Sequence, residues 1–141
     1  MGNIRSFKEL KVWQLSMDLA MDVFEITKGF PAAERYSLVD QIRRASRSVP
    51  SNISEAWRKR RYPAAFVSKL NDAEGEAAET QTHLEIARRS AYLDVSAAQR
   101  LDGEYEEVLA MLVTMASHPE KWTIRPERRG DAAVARRGDA L

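Results

Sequence analysis

The sequence predicts an all-α protein, an antiparallel up-down-up-down four-helix bundle with a flexible C-terminal tail. Apolar residues recur every three or four positions in four segments, which is the spacing of one helix face. No segment shows the pattern of a strand. The connections between the four segments are short, so consecutive helices are expected to lie antiparallel.

Length and composition suit one globular domain with an appendage. The chain has 141 residues, of which 44% are hydrophobic and 30% are charged. We assign the bundle to residues 1–118 and the flexible charged tail to residues 119–141. We find no apolar run of membrane-spanning length and no secretory leader, and we therefore expect a cytoplasmic protein with no membrane partner. The absence of cysteine excludes disulfides, thiol catalysis and thiolate metal sites.

The first helix is predicted to run from a capping box formed by Ser6 and Glu9 to about Lys28. Its polar residues form one narrow edge, and apolar residues cover most of the remaining circumference. A helix of this kind must bury two sides, so a partner surface beyond the bundle core is implied. Gly29 and Pro31 are expected to end the helix.

The second helix is predicted over about 34–61 and contains a proline. Pro50 has no N–H to donate and its ring crowds the preceding turn, so the helix must kink there or restart with Pro50 near its first turn. Asn52 and Glu55 lie beside this break, where such side chains can bond exposed backbone groups. The apolar stripe of this helix consists of Ile42, Ala45, Val49, Ile53 and Ala56.

Pro63 suits the first turn of a third helix, and a fourth is predicted from Ser96, capped together with Gln99, to near His118. The third helix carries a heptad stripe with small residues, which let a facing helix approach closely. Its members are Phe66, Leu70, Ala73, Ala77, Thr80, Leu84, Ala87 and Ala91. The stripe of the fourth helix is Leu101, Tyr105, Val108, Leu112 and Met115.

Charge is unevenly distributed although the net charge is only +1. Residues 33–62 hold eight basic residues against three acidic ones, whereas residues 63–92 hold three against five and residues 96–118 hold one against four. This segregation supports two outcomes equally. The basic surface can bind nucleic acid, or basic and acidic faces of neighbouring subunits can match.

Two groups on the second helix are candidate binding residues. Arginines that project away from the apolar stripe can contact phosphates or form ion pairs with a neighbouring subunit. At the end of the helix, two aromatic residues flank a basic run, and such rings can stack on bases while cations hold phosphates. The alternative there is a solvated helix end whose cations complement the helix dipole. The candidate nucleic-acid-binding residues are Arg43, Arg44, Arg47, Trp57, Arg58, Lys59, Arg60 and Arg61, with Tyr62 following.

Motifs for catalysis are not found. The two histidines, His83 and His118, fall in different helices, and no nucleophile elbow or phosphate-binding glycine loop occurs. Glu79 and His83 are i, i+4 neighbours, an ordinary helix-surface pair that supplies too few ligands for a metal. We therefore expect a protein that is not an enzyme and has no cofactor or metal site.

The end of the chain changes in composition after Trp122. The sequence Arg-Arg-Gly-Asp-Ala occurs at 128–132 and again at 136–140, with few apolar residues between. Such a segment cannot offset its ordering entropy and is expected to be flexible. An arginine-rich arm for RNA is the alternative interpretation.

The segment QIRRASRSVPSNISEA at 41–56 resembles the helical signature of the four-helix bundle family of 23S rRNA intervening-sequence proteins. Further similarity lies at 10–14, at 30–36 and at 82–93, so the resemblance covers roughly residues 7–118. The family usually has glycine at the positions of Ala56 and Ala91, and leucine at that of Thr80. The resemblance implies a helical protomer that assembles into a homopentamer, and it implies no established reaction.

These observations together predict a non-enzymatic, self-assembling helical bundle. Binding of RNA or another nucleic acid through basic helix two is the first hypothesis. The alternative is a protein–protein interaction scaffold whose basic and acidic faces serve subunit assembly. Salt-dependent RNA binding discriminates the two hypotheses.

Overall fold

The computed structural model describes residues 3–124, which form four α-helices and contain no strand. The helices are α1 (Lys11–Thr27), α2 (Leu38–Arg58), α3 (Pro63–Arg89) and α4 (Val95–Ser117). Three short 3₁₀ turns lie at Phe7–Glu9, Ala32–Glu34 and Pro119–Lys121. The all-α prediction with four helices is therefore confirmed.

The four helices surround one core, and each helix packs against two others. The contacting pairs are α1 with α2, α2 with α3, α3 with α4, and α4 with α1. Two contacts are compatible with an antiparallel arrangement of consecutive helices: Lys69 Nζ lies 2.8 Å from Glu55 Oε2, and Gln81 Nε2 donates to Glu106 Oε1 over 2.9 Å. Because each helix packs against two neighbours in this order, α1 and α2 form one side of the bundle, and α3 and α4 form another.

The predicted stripe on α3 lies in the core. Seven of its eight members, from Phe66 to Ala87, are each at most 1% exposed. Ala73 and Ala77 occupy the middle of the stripe and add little bulk, so a facing helix can come close. The predicted stripes of α2 and α4 are buried as well, which confirms the helical periodicity.

The first helix begins later than predicted. Ser6 caps the 3₁₀ turn instead, because its Oγ accepts from the Lys8 N–H over 3.2 Å. The Glu9 carboxylate accepts from the Arg5 N–H over 2.9 Å. The predicted capping box is therefore wrong for α1, which starts at Lys11.

The second helix spans Leu38–Arg58, shorter at both ends than the predicted 34–61. At its start the Glu34 carboxylate accepts from the Leu38 N–H over 3.2 Å, so Glu34 bonds the first turn from outside the helix. At its end the chain must become extended before Pro63.

The fourth helix is capped by a different residue from the one predicted. Asp94 Oδ1 accepts from the Ala97 N–H over 2.7 Å, and the helix begins at Val95. Ser96 therefore lies already inside the first turn. Aspartate and serine are both good N-caps, and the helix uses the earlier of the two.

Helix α2 continues through Pro50 and does not restart there. The carbonyl of Ser46 loses its usual i+4 donor at this point. Asn52 Nδ2 donates to the carbonyl of Ser48 over 2.8 Å, which places an additional hydrogen bond beside the proline. Glu55 pairs with α3 through Lys69 rather than with the backbone of this turn.

The C-terminal end of the described chain packs on the bundle. Trp122 is half-buried against the core, and the Ile124 N–H donates to the carbonyl of Arg60 over 2.8 Å. We predicted a flexible tail over residues 119–141, of which residues 119–124 are described and pack in this way; residues 125–141, with both Arg-Arg-Gly-Asp-Ala repeats, lie outside the described residues. Within residues 3–124, no helix has the length and apolarity that crossing a membrane requires.

Ala91 ends α3 in a left-handed conformation, with φ of 60°. The Tyr92 N–H donates to the carbonyl of Ala87 over 2.9 Å, and the Ala91 N–H donates to the carbonyl of Arg88 over 3.0 Å. These two bonds define a Schellman motif, whose left-handed position is normally glycine because a Cβ is strained there.

The substitution Ala91→Gly should relieve this strain and raise the free energy of unfolding by about 0.5–1 kcal/mol. The measurement is urea unfolding followed by circular dichroism. Ala78→Gly serves as the control, since Ala78 is an exposed residue inside α3. There the same change should lower stability by about 1 kcal/mol. Equal loss in both variants would contradict the proposed strain at Ala91.

Candidate nucleic-acid interface

Two guanidinium nitrogens of Arg43 donate hydrogen bonds to groups within the protein. Its Nε donates to Thr27 Oγ1 over 2.8 Å, and its Nη2 donates to the carbonyl of Phe24 over 3.2 Å. The guanidinium also lies 4.6 Å from the centre of the Phe24 ring. Arg43 therefore joins the C-terminal end of α1 to α2, and little of its hydrogen-bonding capacity is left for a ligand.

Arg44 and Arg47 project into solvent from α2. Arg44 Nη2 lies 3.5 Å from Asp40 Oδ2, and both side chains are more than half exposed, so the ion pair is weak. The Arg47 guanidinium lies 5.8 Å from the centre of the Phe24 ring and has no carboxylate within 4 Å among residues 3–124.

A cleft of about 450 Å³ brings these arginines together with one that the sequence did not indicate, Arg35. Arg35 lies in the connection before α2, and its place beside Arg44 depends on where α2 begins. The predicted helix two began at Glu34 and so contained Arg35, and for this reason the sequence did not indicate that Arg35 lies in one cleft with the arginines of α2. The four arginines that line the cleft are Arg35, Arg43, Arg44 and Arg47.

Arg43 and Arg44 make a matched pair for measuring the internal role of Arg43. Arg43→Gln should lower the free energy of unfolding by about 1.5–3 kcal/mol, because a buried hydroxyl and a carbonyl lose a charged donor. Arg44→Gln removes the same charge and should cost about 0.5 kcal/mol or less. Urea unfolding at one pH and salt concentration measures both. Similar costs would show that Arg43 is an ordinary surface cation.

Trp57 lies in the core and is only 6% exposed. The Arg60 guanidinium covers its outer face at 3.5 Å from the ring centre, and Arg60 Nε donates to the Trp57 carbonyl over 2.8 Å. Burial lowers the pKa of Arg60, and the charge of Arg58 lowers it further. While Arg60 occupies this position, the Trp57 ring has no free face on which a base could stack.

The remaining cations of the basic run are exposed. Arg58, Lys59 and Arg61 have no carboxylate within 4 Å among residues 3–124. Tyr62 beside them is 66% exposed, because the turn before Pro63 holds it outside both helices. The accessible aromatic ring at this end of α2 is thus that of Tyr62.

Two carboxylates on α3, those of Glu76 and Glu85, have pKa values that are shifted in opposite directions. Burial raises the pKa of Glu76, and the nearby charges of Glu79 and Asp72 raise it further. The hydrogen bond from Arg88, whose Nε lies 2.6 Å from the carboxylate, lowers the pKa of Glu85.

These shifts predict opposite pH effects. The ionised Glu76 opposes folding, so Glu76→Gln should raise the free energy of unfolding by about 0.5 kcal/mol at pH 7. That gain should disappear as the pH falls below the ordinary glutamate pKa, where both side chains are neutral. Glu85 stabilises the fold above its unfolded pKa, and its contribution is lost as the pH falls through its lowered folded pKa. Glu85→Gln should therefore destabilise the protein at pH 7.

Urea unfolding of both variants between pH 3 and pH 8 measures these effects. A stability gain for Glu76→Gln that is the same at pH 3.5 and pH 7 would contradict the charge explanation.

Other polar groups near the core form no metal cluster. Within residues 3–124, no group of three or more histidine and carboxylate side chains lies close enough to hold an ion. His83 Nε2 lies 3.4 Å from Glu79 Oε1, while His83 Nδ1 and the Tyr105 hydroxyl are buried without a partner among these residues. Burial raises the pKa of Tyr105, and the nearby Thr80 hydroxyl opposes that shift.

The architecture and the surface define a class of small four-helix bundles with a basic second helix. The chain belongs to the 23S rRNA-intervening sequence protein family, whose family model matches residues 8–114. None of the curated proteins matches the chain.

A solved structure from Bacteroides thetaiotaomicron, described as a protein of unknown function from the S23 ribosomal protein family, is similar. It shares 26% sequence identity with this chain and superposes with a TM-score of 0.68. The match covers 74% of this chain and 97% of the other. Neither the family description nor that of the solved structure names a reaction.

Proposed function

We propose that the protein is a non-enzymatic, self-assembling helical bundle that binds RNA through the C-terminal end of α2. We call this surface the basic end and define it as Arg58, Lys59, Arg61 and Tyr62. The observation that carries the proposal is that its three cations have no acidic partner among residues 3–124 and directly precede an exposed aromatic residue.

The physical argument concerns which cations are available. Several cations elsewhere, such as Arg88 and Arg100, already pair with carboxylates and would have to leave them before binding phosphate. Cations of the basic end have no such pair to break within residues 3–124, and binding them to phosphates releases counterions from the nucleic acid. Tyr62 adds a surface on which an unpaired base can stack. The name of the family supports an RNA context.

The proposal uses only some of the candidate residues that the sequence indicated. Arg43 and Arg60 are engaged within the protein, and Trp57 is buried. Arg44 pairs with Asp40, whereas Arg47 forms no ion pair within the described part of the chain. Asn52 keeps its structural interpretation beside Pro50, whereas Glu55 pairs with Lys69 of α3.

Self-assembly is the second part of the proposal. The apolar circumference of α1 and the family resemblance support a closed homo-oligomer, with five subunits as the expected number. An assembly presents several basic ends at once, and binding several of them to one RNA increases the apparent affinity. Light scattering that shows a stable monomer at micromolar concentration would contradict this part.

RNA affinity measured at several salt concentrations tests the basic end. The triple variant Arg58→Gln, Lys59→Gln, Arg61→Gln should bind unrelated RNA sequences more weakly. Its salt dependence should be flatter by roughly one slope unit for each phosphate that is no longer neutralised. Tyr62→Ala should cost about 1–3 kcal/mol of binding free energy for single-stranded RNA. Arg60 is kept, because it covers Trp57.

A control variant changes three cations that are already ion-paired. Lys28→Gln, Arg88→Gln and Arg100→Gln remove the same total charge from other surfaces. Affinity close to that of the wild type is expected for this control. If both triple variants lose equal affinity, binding reflects overall charge only. If neither loses any, the basic end is solvated surface and the scaffold alternative is favoured.

A further inference from the structure

One side of the bundle carries an apolar groove that no segment of residues 3–124 covers. It lies between α1 and α2, has a volume of about 430 Å³ and includes Met21, which is 54% exposed. This is the second apolar side of α1 that the sequence implied. The apolar side chains larger than alanine that line the groove are Phe7, Trp13, Met17, Met21, Phe24 and Pro50.

Arg47 is the charged residue of this groove. It has no carboxylate within 4 Å among residues 3–124 and is held near the Phe24 ring. A partner that covers the groove therefore needs apolar side chains and at least one carboxylate, because a cation left unpaired at a covered surface is costly. A nucleic acid fits this groove poorly, because its lining is mainly apolar and offers phosphates only the cation of Arg47.

The α3–α4 side of the same chain has this complementary chemistry. A depression of about 590 Å³ lies between these helices and contains Ile86, which is 44% exposed. Asp102 and Glu106 lie in the same depression, together with Arg89, whose guanidinium already pairs with Glu85 at 3.6 Å. Asp102 has no cation within 4 Å among residues 3–124, and Glu106 accepts only from Gln81 there.

We infer that the α1–α2 groove receives the α3–α4 side of a second copy of this chain, with Arg47 facing Asp102 and Glu106. The inference rests on the self-assembly part of the proposed function and names its interface. The two surfaces lie on different sides of the bundle, so the contact is head-to-tail. Contacts of this type build rings or filaments, since each copy binds two neighbours through different surfaces.

Two variants that each block one surface test the head-to-tail arrangement. Met21→Glu blocks the groove and Ile86→Glu blocks the opposite side, while each leaves the other surface intact. Each variant alone should be a monomer by light scattering, with unchanged helical circular dichroism. Mixed in equal amounts, they should form a 1:1 dimer that grows no further, because the intact groove of one copy meets the intact α3–α4 side of the other.

A matched control and a charge exchange complete the test. Val113 is 49% exposed and lines neither surface, so Val113→Glu should assemble like the wild type. Arg47→Glu should weaken assembly about tenfold or more, and Glu106→Arg in the same chain should restore much of the loss.

The outcomes separate the interface from the proposed function. A monomeric wild type would refute self-assembly itself. A wild-type oligomer that persists in Met21→Glu and Ile86→Glu would overturn this interface alone, as would two monomeric variants that stay monomeric on mixing. A groove that binds RNA, seen as an RNA affinity lost in Met21→Glu but kept in Ile86→Glu, would also overturn it.

Discussion

The packing of α2 on α3, the most extensive contact between helices within residues 3–124, is the contact on which the other features depend. Buried alanines in the middle of the α3 stripe add little bulk to the core, and Glu55 of α2 forms an ion pair with Lys69 of α3. With one side of α2 held against α3, its remaining sides are fixed in direction: Arg43 meets the end of α1, and Arg58 faces solvent at the turn. The packing of the core stripe of α2 therefore determines which of its arginines contact the protein and which face solvent.

The sequence predicted the periodic core stripes well, and it predicted single features such as helix ends and caps poorly. The α3 stripe was predictable because seven regularly spaced positions carry the same signal. Helix ends depend on a choice between neighbouring caps, as at Asp94 and Ser96, and local propensity hardly separates the two. The left-handed residue at Ala91 gave no local signal at all, since alanine is a strong helix former.

For the candidate site too, the sequence predicted the general feature, a basic helix, but not the contacts of its individual residues. Counting charges located a basic helix, but it could not distinguish a cation that is already bonded from one that is available. Arg43 and Arg58 look alike in the sequence, yet the first bonds Thr27 across the bundle and the second is exposed. Trp57 was a candidate stacking residue, although it lies four residues after Ile53 and therefore continues the apolar side of α2; it is buried there, with the Arg60 guanidinium over its ring.

Pro50 has a consequence for how the outer surface of the bundle behaves. Its ring forms part of the groove between α1 and α2, and it has almost no rotational freedom to lose when another surface covers it. The aromatic rings of Phe7 and Trp13, which pack edge to face at 5.4 Å, are likewise held before any contact is made. Met17 and Met21 supply the adaptable part of the same surface. The groove thus combines rigid side chains with adaptable ones, so the side-chain entropy lost on covering it falls mainly on the two methionines and on Arg47.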